Sequence, residues 1–261
     1  MKKYIYLLGC LVITAMLTSS KTEYYPSAKN QAFGIGEKLR YRVSYGFVDA
    51  GEAILEVKST SKKGNGRDLY RVTGSGRTLG AFNAFYKVED KYESFIDKQG
   101  IFPWFFERRV NEGGYIINQD YTFKQHQYKV NNGVGKEYKT PMAIQDMISS
   151  FYYARTMDFS NLKQGDVFEF KCFMDDEIWS LKVKYVKDET ISIRKGKFKC
   201  HKFVPVVQTG RYFESEEDVN FWITADKNRI PVLVKAKIPV GTIKMHLVEW
   251  ENLKNPLSSK Q

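Results

Sequence analysis

The chain has 261 residues, 43% hydrophobic and 15% aromatic, and carries 41 Lys and Arg against 30 Asp and Glu, a net charge of +11. That apolar share is ample for a real core, in one large all-β domain or two small ones, and the wealth of Tyr and Phe favours strands over helices. Were such a chain exported, its basic excess would point to anionic envelope polymers or lipid headgroups and away from nucleic acid.

Lys2 and Lys3 precede an apolar run, Tyr4 to Leu17, that is too short and poorly flanked for a membrane span. Thr18 and Ser20 suit a small-residue cleavage site, so residues 1–20 are expected to be a signal peptide. The protein is then exported to the periplasm or cell envelope, with no transmembrane segment in the mature chain. Leu7-Leu8-Gly9-Cys10 resembles a lipoprotein box, but too few residues precede it and the apolar run continues past Cys10. Residues 21–33 are polar and aperiodic and read as a flexible leader. Residues 34–253 read as a single all-β domain, and 254–261 as a disordered tail.

From Glu37 to Phe47 every second residue is apolar, the mark of a half-buried antiparallel strand. Asp49-Ala50-Gly51 reads as its turn and Glu52–Ser59 as its partner, with Leu69–Arg77 following a loop tip at 62–66. Thr78 to Phe85 breaks the alternation and is expected to be a short turn closing one barrel mouth. Strands are expected next over Tyr86–Ile96, Ile101–Val110, Tyr115–Phe123 and His126–Val130. Pro103 restricts the start of the most aromatic of these to an edge or bend.

The stretch from Thr140 to Arg155 has a helical period. Thr140 is placed to cap it and Pro141 to take its first position, while Ile144, Met147, Ile148, Phe151 and Tyr152 share one face. A lone helix near 141–156 between two runs of strands is expected to lie inside one strongly curved antiparallel sheet or open β-barrel. The later strands are expected over Gly165–Phe173, Ile178–Val186, Glu189–Ile193, Phe198–Gln208, Asp218–Thr224, Ile230–Ile238 and Thr242–Trp250.

Several of these pieces resemble an exported bacterial family, domain of unknown function 3108. Gly36-Glu37-Lys38-Leu39-Arg40-Tyr41 with Asp49-Ala50-Gly51 is similar to its start, and Pro141…Gln145-Asp146-Met147-Ile148-Ser149…Tyr152-Tyr153-Ala154-Arg155 to its middle motif. Gly196 to Cys200, Phe221 to Asp226 and Arg229-Ile230-Pro231-Val232 follow in order, so the resemblance spans about residues 34 to 250. It implies a fold and a compartment, and no mechanism.

The polar side of the helix carries the best constellation, Asp146, Ser149 and Ser150 with Arg155 nearby. Asp146, Ser149 and Arg155 are candidate ligand contacts, or else tethers that fix the helix to the sheet. Trp104 and Trp222, from the aromatic runs, are candidate walls of a groove for an acyl chain or glycan, or else core. Cys172 and Cys200 are candidates for a disulfide, or two buried thiols. No catalytic residue, metal ligand or cofactor is nominated: His126, His201 and His246 are isolated, and His201 faces away from Cys200 in a strand. The leading expectation is a non-enzymatic envelope protein that binds a lipid, polysaccharide or protein partner. The alternatives are a glycan- or ester-cleaving hydrolase using paired acids such as Asp175-Asp176-Glu177, and a structural accessory subunit of an envelope complex.

Overall fold

A computed structural model describes residues 25–206, 218–239 and 241–261. The expected signal peptide, residues 1–20, lies outside the described residues. In β1 (Lys38–Tyr45) Leu39 and Tyr41 are buried and their neighbours are not, as the alternation requires. Up-and-down antiparallel pairing continues through β2 (Val48–Gly64), β3 (Arg67–Thr78), β4 (Glu89–Asp97), β5 (Pro103–Glu112), β6 (Tyr115–Lys124), β7 (Lys129–Asn131) and β8 (Glu137–Lys139). A second meander holds β9 (Val167–Met174), β10 (Glu177–Ile193), β11 (Gly196–Pro205), β12 (Val219–Thr224), β13 (Pro231–Ile238) and β14 (Gly241–Glu251). β1 pairs with β14 from Lys38–Glu251 to Tyr45–Ile243, which joins both meanders into one 14-stranded sheet among the described residues.

The sheet is open, since its edge strands β8 and β9 do not pair. It nevertheless curls until its edges meet through side chains. Phe173 of β9 lies 5.1 Å from Tyr121 of β6 and 5.3 Å from Tyr138 of β8, ring centre to ring centre. The β9–β10 turn has Asp175 and Asp176 at φ 51° and 62°, the left-handed pair that matches strand twist in a two-residue hairpin. Their carboxylates reach across the gap. Arg108 donates to Asp175 at 2.5 Å, and Tyr138 and Asn132 donate to Asp176 at 2.6 and 2.9 Å. Gln145 adds a parallel bridge to β9: its N–H donates to the Lys171 carbonyl and its carbonyl accepts from Phe173.

The helix is shorter than expected. α2 spans Met147–Ala154, two turns, and neither Thr140 nor Pro141 starts it. Asp146 and Ser149 make a capping box: the Ser149 N–H donates to the Asp146 carboxylate at 2.6 Å, and the Asp146 N–H donates to Ser149 Oγ at 2.8 Å. That cap, and the commitment of the Gln145 backbone to β9, keep 141–146 out of the helix. Ile148, Phe151 and Tyr152 still pack into the clusters built on Val72, Phe106 and Leu39. The break at 78–85 holds a second small helix, α1 (Gly80–Phe85), none of whose residues is buried.

Other expectations are corrected. Asp49-Ala50-Gly51 lies within β2, and the chain turns instead at Gly46, where φ is 58°. The strands expected over 178–186 and 189–193 are one strand, β10, with a register shift between Tyr185 and Lys187. The described part of the expected flexible leader is packed: Ala32 and Phe33 are fully buried, and the Phe33 ring lies 4.7 Å from that of Tyr152. The expected disordered tail is an added edge, in which Lys199 N–H donates to Ser259 and Gln261 N–H to Lys197. Cys172 and Cys200 are free and buried. β10 lies between their strands, and its residues facing them, Trp179 and Glu189, are ten positions apart, on the order of 30 Å along a strand. No helix among the described residues is long and apolar enough to cross a membrane.

Candidate functional site

The five sequence candidates do not meet at one place. Asp146 is fully buried at the start of α2, where its carboxylate also accepts from the Ser94 hydroxyl of β4 at 2.5 Å. Burial pushes its pKa up to about 6, although the Ser149 and Ser94 hydrogen bonds pull the other way. Ser149 is consumed by the capping box. Arg155, at the other end of α2, donates to both carboxylate oxygens of Glu37 at 2.6 and 2.8 Å and to the carbonyls of Asn228 and Ala32. The rings of Phe33, Phe151 and Tyr152 surround its guanidinium at 5.3 to 5.7 Å.

The two indoles lie in separate clusters. Trp104 packs with Leu69, Phe95 and Phe102, and its N–H donates to Asp97 at 3.1 Å. Asp97 is held in turn by Arg67 and by the backbone N–H groups of Gln99 and Gly100. The indole covers Gly64, where any side chain would collide with it. Trp222 belongs with Leu39 and Phe198, and its N–H donates to Glu189 at 2.5 Å. Glu37, Ser94, Asp97 and Glu189 were all missed as partners, since each is brought to its partner by strand pairing or packing and not by a helical or strand spacing, over separations from 7 to 118 residues.

His201 is not isolated: its Nδ1 lies 2.5 Å from Asp188, which also accepts from the Tyr185 hydroxyl at 2.8 Å. Its neighbours are the rings of Phe159 and Tyr185. The paired acids Asp175 and Asp176 are spent fastening the sheet edges, as described above.

Polar groups of both signs, Glu89 and Asp90 among them, converge on an external groove of about 590 Å³ across β2 to β6. Ile54, Val110 and Ile116 give it apolar surface, and Arg77, Lys91, Arg109, Asn111 and Asn118 give it donors. Glu52, in its wall, is buried between two guanidiniums, accepting from Arg40 at 2.9 Å and Arg77 at 2.7 Å. Burial alone would raise its pKa, and the two arginines outweigh that and hold it below the usual range. At the end of β5 the pKa of Glu112 is raised, first by burial and then by the neighbouring Asp90 carboxylate.

One open, curled antiparallel sheet of 14 strands, with only small helices beside it, defines an all-β protein among the described residues. A family model described as "Protein of unknown function (DUF3108)" matches residues 40–248, and the chain belongs to that family. Among solved structures, a β-barrel-like protein of the DUF1849 family from Brucella abortus is similar in fold, with a TM-score of 0.53 at 9% identity over 83% of this chain and 97% of that one. A DUF1089-family protein from Pseudomonas aeruginosa aligns with a TM-score of 0.40 at 8% identity, over 69% of this chain and 87% of that one. The chain has no match among curated proteins.

Proposed function

We propose that this is an exported cell-envelope protein that binds a polysaccharide without chemically altering it, in the groove across β2 to β6. The observation that carries this reading is the groove itself. Lys91, Asn111 and Asn118 stand on three adjacent strands beside Ile54, Val110 and Ile116, the mix of hydrogen-bonding and apolar surface that a sugar chain needs. The basic excess favours an anionic polymer. Export is supported by the leader pattern of Lys2 to Ser20. In this reading Asp146, Ser149, Arg155, Trp104 and Trp222 hold the fold and do not touch the ligand, because each is already engaged by a protein partner or packed in a core cluster.

The test is binding to a panel of purified anionic and neutral envelope polysaccharides by calorimetry, for wild type and for Lys91→Ala with Asn118→Ala. The expected result is binding to an anionic member, weakened at least tenfold, roughly 1.4 kcal/mol, in the double variant. Binding that the groove changes leave untouched, or none across the panel, rejects the groove as the site.

A further inference from the structure

One rim of the sheet gathers exposed apolar side chains. The register puts the β1–β2 turn, α1, the β5–β6 turn and the β13–β14 turn at the same end of the strands. Hydrogen bonds and ring contacts join them into one continuous edge. Gly46 N–H donates to Thr242, Leu79 N–H to Ala50, and Gly113 N–H to Lys87. Tyr45 and Phe82 pack at 6.5 Å, and the Tyr86 ring lies over Gly113, whose φ of 59° suits glycine. Along this edge Phe47 is 101% exposed and Phe85 88%, with Tyr115, Ile116, Val48 and Tyr86 between 52% and 66%. Loop tips of a soluble face are usually polar, and α1, Gly-Ala-Phe-Asn-Ala-Phe, has no buried residue at all.

Charge says what covers the rim. Lys235 and Lys244 are directly opposite each other on β13 and β14, with Lys237 two residues nearer the turn. The register partners of this pair on the flanking strands, Asn220 on β12 and Ser44 on β1, are not carboxylates. Like charges facing across a ladder cost stability, which calls for an external anion to meet them. Three residues separate the lysine pair from the turn, roughly 10 Å and about one Debye length from whatever the rim touches.

We propose that this rim docks on the surface of a lipid bilayer with anionic headgroups. Phe47, Phe85, Tyr86 and Tyr115 enter the interfacial layer, where aromatic rings are favoured, and Lys235, Lys237 and Lys244, set back from the rim, attract the phosphates at longer range. A protein partner fits less well, because the aromatics stand on three separate protruding segments, the β1–β2 turn, α1 and the β5–β6 turn, whereas a fluid interface accepts them independently. The inference is separate from the polysaccharide reading, and either can fail alone.

The test is co-sedimentation of the full chain with vesicles of phosphatidylcholine alone or with about 30 mol% phosphatidylglycerol, at low and high salt. Phosphatidylcholine alone serves as the control for the N-terminal apolar run. Stronger binding to the anionic vesicles is expected, lost at high salt. Phe47→Ser with Phe85→Ser should weaken it at least tenfold. Changing all three lysines to Gln should weaken it roughly twofold per residue, since they sit about one Debye length back from the rim. The Phe variant should melt as wild type does, and the Lys variant no lower, since the altered side chains are on the surface and the facing lysines repel each other. Equal binding to both vesicle types overturns the proposal. So does anionic binding that survives the Phe changes, or a rim that instead joins two copies, seen as a dimer made monomeric by those changes without any vesicle binding.

Discussion

Arg155 and Glu37, 118 residues apart in sequence, form a two-pronged ion pair whose side chains are 3% and 0% exposed. It ties the end of α2 to the entry of β1. The same guanidinium also donates to the carbonyls of Ala32 and Asn228, so one side chain fastens the leader, the helix and the β12–β13 turn.

Removing one member leaves the other charged and unpaired in the interior. Arg155→Met or Glu37→Gln should each cost about 3–5 kcal/mol in urea unfolding. The double variant should cost less than the sum of the two by about 2 kcal/mol or more. Additive losses would show that the pair does not act as a unit.

Asp146 makes stability depend on pH in the opposite sense to an exposed ion-paired carboxylate. Its folded pKa of about 6 exceeds the ordinary 3.8, so between those values the folded chain holds a proton that the unfolded chain has lost. The group's contribution is greatest below about pH 4 and declines by about 3 kcal/mol as pH rises to 6. Asp146→Asn keeps a capping side chain and removes the titration. Wild-type stability relative to that variant should therefore fall between pH 4 and 6 and stay level above. Parallel curves would contradict it.

Tyr41 and Tyr152 are buried, and among the described residues neither hydroxyl has a hydrogen-bond partner. Burial drives both phenol pKa values upward. Tyr152→Phe and Tyr41→Phe remove a desolvated polar atom and keep the ring, so each should change stability by between about 0 and 1 kcal/mol in the favourable direction. A loss above about 1.5 kcal/mol in thermal or urea unfolding would mean that the hydroxyl is bonded.

Gly64→Ala should destabilise by about 1–3 kcal/mol, because the added methyl meets the Trp104 indole, which cannot slide without losing Asp97. Near-ultraviolet circular dichroism, which reports the packing of such rings, should change with it. An unaltered spectrum at wild-type stability would show that the indole has room.

Burial raises the Cys200 thiol to about 12 and the Cys172 thiol further. Neither should react with a disulfide reagent at neutral pH until the chain unfolds. The protein should migrate identically with and without reductant, and a shift between the two would place a bridge where the strands leave none.

Strand identity was legible because alternation is local: Leu39 and Tyr41 announce β1 without help from any other segment. The helix was misjudged for a reason equally local. The period from Ile144 onward is real, but the four residues Asp146 to Ser149 hold a better cap than Thr140, and Gln145 is claimed by β9. Leader and tail looked disordered because their order comes from distant partners, Tyr152 for Phe33 and Lys199 for Ser259. The groove could not be read at all, since it assembles short stretches from five strands. Nor could the rim, since Phe47 and Phe85 look like ordinary core residues until the fold sets them at loop tips.

The β1–β14 seam governs the order in which the molecule can be completed. Within each meander, partners are sequence neighbours, so either half can form as its chain emerges and at little entropic cost. Lys38 and Glu251, by contrast, meet only across nearly the whole chain. Until Gly241–Glu251 arrives, β1 remains a bare edge, with Arg40 and Lys38 lacking Glu249 and Glu251. The last strand to be made therefore closes a gap in the middle of the sheet, where a late truncation would leave two sticky half-sheets.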